Sequence, residues 1–140
     1  MTGRESGLGL ILMMVLSGTG LAQEGNFVDA PGGVIRWLDK LTGETGDVEL
    51  QRQQSAVFGR LAIQLDSCRY PRDNPSAEAE AHLTIMDASQ TAPVFAGWML
   101  ASSPALSAME HPRYDVWVLH CILPAQAMPE TDATESGEGE

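Results

Sequence analysis

From Val34 onward the chain alternates short apolar runs with turn residues. In GRLAIQLDSC, Leu61, Ile63 and Leu65 share one parity and Arg60, Gln64 and Asp66 the other, the mark of a half-buried strand in an antiparallel sheet. Cys68 falls on the polar parity, so it is expected past the strand end or after a bulge that re-aims it. AHLTIMD resumes the alternation through Leu83 and Ile85. VIRWLDKL puts Ile35, Trp37 and Leu41 at even spacing with Asp39 interrupting that face, and TGETGDV after it predicts a hairpin connection with glycines for positive φ. VFAGWML and DVWVLHCIL are almost unbroken apolar runs, which predicts central strands covered on both faces.

Six or seven such strands with Gly and Pro turns predict an all-β fold, a small antiparallel β-sandwich or a partly open barrel. One short helix is expected, in the connection GWMLASSPALSAMEHPRYDVW. Ser103 precedes Pro104 as a cap would, Leu106 and Met109 lie three apart, and His111 before Pro112 ends the segment after Glu110.

The segment before Val34 changes the picture from fold to compartment. A polar start with Arg4, an apolar run from Leu8 to Leu16 and small residues at Gly20 and Ala22 have the build of a secretory signal peptide, cleaved after Ala22. The run is about half of the roughly 20 residues that cross a bilayer, so no stable membrane insertion is expected after cleavage. The chain then divides into a signal peptide (1–22), a linker (23–32), one β domain (33–123) and a disordered acidic tail (124–140), with the periplasm as the expected location. Cys68 and Cys121 would meet an oxidising compartment there, where pairing is expected and two reduced buried thiols are the alternative. The formal charge is −11; Arg4 and Glu5 cancel and PETDATESGEGE holds five acids, which leaves about −6 on the domain. That sign disfavours nucleic acid and anionic lipid head groups as partners.

Ser102, Ser103, His111 and Asp115 stand within fourteen positions, which raises a nucleophile, base and orienting acid. No Gly-x-Ser-x-Gly turn raises either serine, and both sit where a cap is wanted. His82, His111 and His120, with Glu110 or Asp115, match no spacing of a known zinc site, so no metal and no cofactor is expected. A structural role is expected for Glu110, as a buried acceptor of loop amides, and for Tyr114, packed under the sheet with its hydroxyl on a carbonyl. Trp37, Trp98 and Trp117 are expected to fill the core.

Phe95, Gly97, Trp98 and Met99, the run ASSPALSAMEHPRYDVW, Cys121, and the upstream WLDKLTG and FGRLAIQLDSC together resemble the bacterial domain of unknown function 2155. The resemblance covers about residues 33 to 121 and is most specific from Gly97 to Trp117, a stretch that includes Pro104 and Pro112. It implies the domain limits, export and paired cysteines, and no reaction. The chain departs from the pattern near LQRQQSA, where a glycine turn is expected. The functional expectation is an exported, non-enzymatic envelope protein that binds a protein partner or assists assembly. The alternatives are a periplasmic lipid- or glycan-binding module, which needs an exposed Trp98 or Trp117, and a serine hydrolase.

Overall fold

The computed structural model describes residues 26–125; the predicted signal peptide, the first residues of the predicted linker and residues 126–140 of the predicted tail lie outside them. The described residues form eight strands: β1 (Phe27–Asp29), β2 (Gly32–Asp39), β3 (Thr45–Gln51), β4 (Ser55–Phe58), β5 (Leu61–Pro71), β6 (Glu80–Asp87), β7 (Phe95–Leu100) and β8 (Tyr114–Ile122). All neighbours are antiparallel. One sheet runs β1-β5-β6-β7, with β4 also on β5, and the other runs β3-β2-β8. The architecture is a small all-β sandwich rather than a closed barrel. No helix among the described residues is long and apolar enough to cross a membrane.

The alternating strands build the interior. Leu61, Ile63 and Leu65 of β5 and Ala81, Leu83 and Ile85 of β6 are fully buried, facing Ile35 of β2 and Val118 of β8. Each such Leu or Ile contributes roughly 1.5 to 3 kcal/mol through removal of apolar surface from water. The β5 register slips against β6 between Leu65 and Ser67, and this bulge turns Cys68 inward despite its polar parity. There it bonds to Cys121 of β8 with Cα atoms 5.8 Å apart, which ties one sheet to the other.

The hairpin between β2 and β3 closes with Gly43 at φ 77°, as expected for TGETGDV. Where a glycine turn is missing at LQRQQSA, Gln53 itself takes the left-handed conformation at φ 65°. Its amide donates to the Leu65 carbonyl at 2.7 Å and its side-chain amide to the Asp66 carbonyl at 2.9 Å, contacts that hold it there.

Several expectations are corrected. Residues 27–29 are not linker: they pair with Arg69–Pro71 as β1. The two unbroken apolar runs are not central strands; β7 and β8 each lie at a sheet edge. The helix is a single 3-10 turn, Pro104–Ser107, and Ser103 makes no side-chain capping bond. Four residues leave no room for an apolar stripe, so Leu106 is exposed and only Met109, beyond the turn, reaches the core. Leu41 is likewise exposed in the β2–β3 turn, while Asp39, the residue that interrupts its face, is buried. The tryptophans border the core rather than fill it: Trp37 stacks on Phe58 with ring centroids 5.0 Å apart, Trp117 is half-buried and Trp98 is 36% exposed. The small aliphatic residues of β5 and β6 already occupy the space between the sheets.

Candidate functional site

Two groups of polar side chains come together on this scaffold. The first is interior. Asp87 ends the inward parity of β6, directly after Ala81, Leu83 and Ile85, so the sheet drives a carboxylate into the core rim. A buried charge is stable only if it is paired and hydrogen-bonded. Asp87 accepts from the Ser89 amide and hydroxyl at 2.8 Å each, from His111 Nε2 at 2.8 Å and from Arg60 Nη2 at 3.1 Å. The two Ser89 bonds, then His111, hold its carboxyl far below the ordinary range against the cost of burial.

His111 Nδ1 accepts the Arg113 and Tyr114 amides at 3.0 and 3.1 Å, so the ring proton is assigned to Nε2, facing Asp87. Asp39 caps the β2–β3 turn by accepting the Leu41 and Thr42 amides and a forked pair of bonds from Arg113. The Arg113 bonds, working against burial, hold Asp39 down to about 2. Lys40 closes the set by donating to the His111 carbonyl and pairing with Asp115 at 3.1 Å.

This arrangement separates the Ser-His-Asp set that the sequence raises and argues against. Asp115 belongs to Lys40 and not to His111, and both His111 nitrogens are already bonded. The Ser102 hydroxyl and amide donate instead to Glu78, across from β7. Burial pushes the Glu78 carboxyl up, and these bonds, with the Ala79 and Ala101 amides, outweigh it and leave it below its ordinary value. Glu110 is exposed and is not the buried acceptor expected of it; Asp87 and Asp39 take that role. Tyr114 is buried as expected, but its hydroxyl accepts the Arg60 amide at 3.3 Å rather than donating to a carbonyl. Gly59 leaves the room for this: a Cβ there would stand 2.5 Å from the Tyr114 oxygen, and its φ is 56°. His82 and His120 lie apart from His111, and no three His, Cys, Asp or Glu among the described residues converge as metal ligands.

The second group is on the outer face of β1, β5, β6 and β7. Arg69 lies with its guanidinium carbon 4.3 Å from the Trp98 ring centroid and 5.3 Å from that of Phe27. Glu80, its neighbour across the strands, accepts from Arg69 Nε at 2.5 Å. His82 meets Trp98 edge-on at 5.3 Å and its Nδ1–H donates to Asp66, which Thr84 Oγ1 also reaches at 2.7 Å. Asp66 is the bulge residue of β5, so the bulge that buries Cys68 also supplies this outward acceptor. What the group presents is an exposed aromatic and guanidinium surface, its arginine held by a cross-strand bond to Glu80. Its residues are strand neighbours from four segments; the sequence singled out Trp98 as an expected core residue and His82 as one of three scattered histidines, and pointed to neither Arg69 nor Glu80.

Against known families, residues 33–121 match the model described as "Uncharacterized protein conserved in bacteria (DUF2155)". The chain belongs to that family. A relative, "Uncharacterized protein RP359" of Rickettsia prowazekii (strain Madrid E), is 30% identical over 100 residues, which is 69% of this chain and 64% of the relative. The chain thus spans just under two thirds of the curated relative it matches. No solved structure matches. The family match covers β2 to β8, and so takes in both polar groups except for Phe27.

Proposed function

We propose that this is an exported periplasmic protein whose disulfide-closed β domain binds a protein partner of the cell envelope, as an accessory or assembly factor and not as an enzyme. The observation that carries the reading is the Trp98–Arg69 pair held on the outer face of the sheet. Tryptophan and arginine dominate binding hot spots because they combine large apolar area with directional polar groups, and here the cross-strand bonds hold the arginine in place before any partner arrives. Export is supported by the Cys68–Cys121 bond, which a reducing cytosol does not sustain, and by the signal-like start of the chain.

The test replaces His82, at the centre of this face, with a photo-crosslinking residue in living cells. The expected result is one other envelope chain captured in near-stoichiometric yield, with capture lost in Arg69→Ala and Trp98→Ala. Capture at background level, or capture indifferent to both variants, overturns the partner reading. N-terminal sequencing of the recovered protein is expected to begin at Gln23, and recovery in the cytosolic fraction with its first residues intact overturns the export reading.

The exposed Trp98 also favours a second reading, a module that stacks a sugar ring of an envelope glycan. Quenching of tryptophan fluorescence by glycan fragments, absent in Trp98→Ala, would establish it in place of the protein partner.

A further inference from the structure

A sheet edge exposes unpaired N–H and C=O groups, and proteins blunt it with charge, proline, bulges or short length. Three edges of this sandwich are blunted so. β3 carries Asp47 and Glu49, β1 and β4 have three and four residues, and β8 slips against β2, carries Asp115 and flanks a groove of about 270 Å³ whose other wall is Pro104–Met109. β7 is different. Phe95–Leu100 reads FAGWML, with no charge and no proline, and its register with β6 runs unshifted from Phe95 to Leu100.

The free groups of β7 can be placed. The Ala101 amide donates to the Ala79 carbonyl at 2.9 Å, so by antiparallel alternation Met99 and Gly97 exchange bonds with β6. Ala96 and Trp98 therefore turn their N–H and C=O groups away from the sheet, and no strand among the described residues lies on that side.

We propose that β7 pairs antiparallel with β7 of a second copy of this chain, about a two-fold axis at Gly97. The side chains choose this occupant and this register. With Gly97 opposite Gly97, Trp98 stands opposite the partner subunit's Ala96, and Ala96 opposite the partner subunit's Trp98. Each large ring thus meets a methyl group, and the pairs that face each other are those whose backbone groups are free. A closed two-fold contact needs such self-complementarity. Charge points the same way: two copies with a formal charge of −11 approach with least repulsion at their uncharged strand. Pairing joins the two β1-β5-β6-β7 sheets into one and sets two Trp98–Arg69 faces side by side. It goes beyond the partner reading and does not depend on it.

The test is sedimentation equilibrium of the processed chain recovered from cells, from the low micromolar range upward. The expected mass is twice that of one chain, falling to one chain in Trp98→Lys. Ala96→Trp is expected to weaken association at least tenfold, because two rings then collide, and the exchange variant Ala96→Trp/Trp98→Ala is expected to restore it. A second measurement reports the register even if Trp98→Lys misfolds. A Cβ at Gly97 meets only the Phe95 ring, at 3.6 Å, so Gly97→Cys is tolerated. Directly opposed residues of this type have Cα atoms about 4.5 Å apart, within disulfide reach. Gly97→Cys is therefore expected to form a covalent dimer on mild oxidation. A single-chain mass at every concentration overturns the proposal. So does a dimer that survives in folded Trp98→Lys, or one in which Gly97→Cys does not crosslink.

Discussion

At the end of the sandwich where β6 stops and β8 starts, Asp87 and His111 are buried and every strong hydrogen-bonding atom of the pair has a partner. On the outer face of β5, β6 and β7, Trp98 contacts both Arg69 and His82, yet each of the three keeps about a third or more of its surface in water. Both groups are polar clusters on strand ends and strand faces. They differ in what is left over for another molecule. The interior set spends its bonding capacity within the molecule, on backbone amides at Ser89, Arg113 and Tyr114 and on the side chains of Ser89 and Arg60, and so orders the connection between β7 and β8. The outer set leaves an aromatic face and guanidinium N–H groups unspent, which is the form a binding surface takes.

The contrast can be broken from either side. The largest effect comes from the disulfide that ties the two sheets together, at the opposite end of β6 from Asp87. Cys68→Ser opens a closed loop with a sequence separation of 53 and is expected to cost roughly 4 kcal/mol, lowering the melting temperature by about 10 °C or more. An unchanged calorimetric transition would show that the bond is absent in the purified protein. Next is His111→Phe, which keeps a ring but strands the Arg113 and Tyr114 amides; urea denaturation is expected to show a loss of about 2 to 3 kcal/mol. If instead partner capture fails while stability holds, the interior set is functional and the contrast is wrong.

A smaller effect follows acid. Asp39 and Asp87 both have folded pKa values depressed below the unfolded value of 3.8, so their contribution is complete above that pH and drains as pH falls, toward about 2 for Asp39. The melting temperature is expected to be flat in the carboxylate contribution above about pH 5 and to drop by several degrees between about pH 4 and 2, less steeply in Asp39→Asn. The smallest stability effect is expected from Trp98→Ala, about 1 kcal/mol or less, because the ring is at the surface. The same variant is expected to abolish partner capture, and a large loss of stability with capture intact would invert the roles assigned to the two clusters.

Much of the scaffold was legible in the chain. The parity of Leu61, Ile63 and Leu65 and of Leu83 and Ile85 named two inner strands and the faces they bury. The parity of Cys68 left a strand end or a bulge as its two explanations, and the bulge is the one present. The apolar runs at β7 and β8 were legible as strands but misleading about position, since a run without polar residues reports what covers a strand's faces and says nothing of what lies along its edge. The interior cluster was partly visible: Asp87 continues an apolar parity, and Asp39 interrupts one, which marks both as inward carboxylates. Their partners were not visible, because Arg113 is 74 positions from Asp39 and His111 is 24 from Asp87.

By itself, the sequence determined the local terms: strand periodicity, turn chemistry at Gly43, a start patterned like a signal peptide, two cysteines and an acidic balance. These follow from each residue's preference for water, for a backbone conformation or for a redox compartment, and none needs a distant neighbour. Only the tertiary structure decided that Ser102 serves Glu78, that His111 belongs to Asp87 rather than Asp115, and that Trp98 faces outward under Arg69. Those outcomes depend on strand order and register, which are set by how two whole sheets pack. A one-residue slip or a changed neighbour would reassign every one of them.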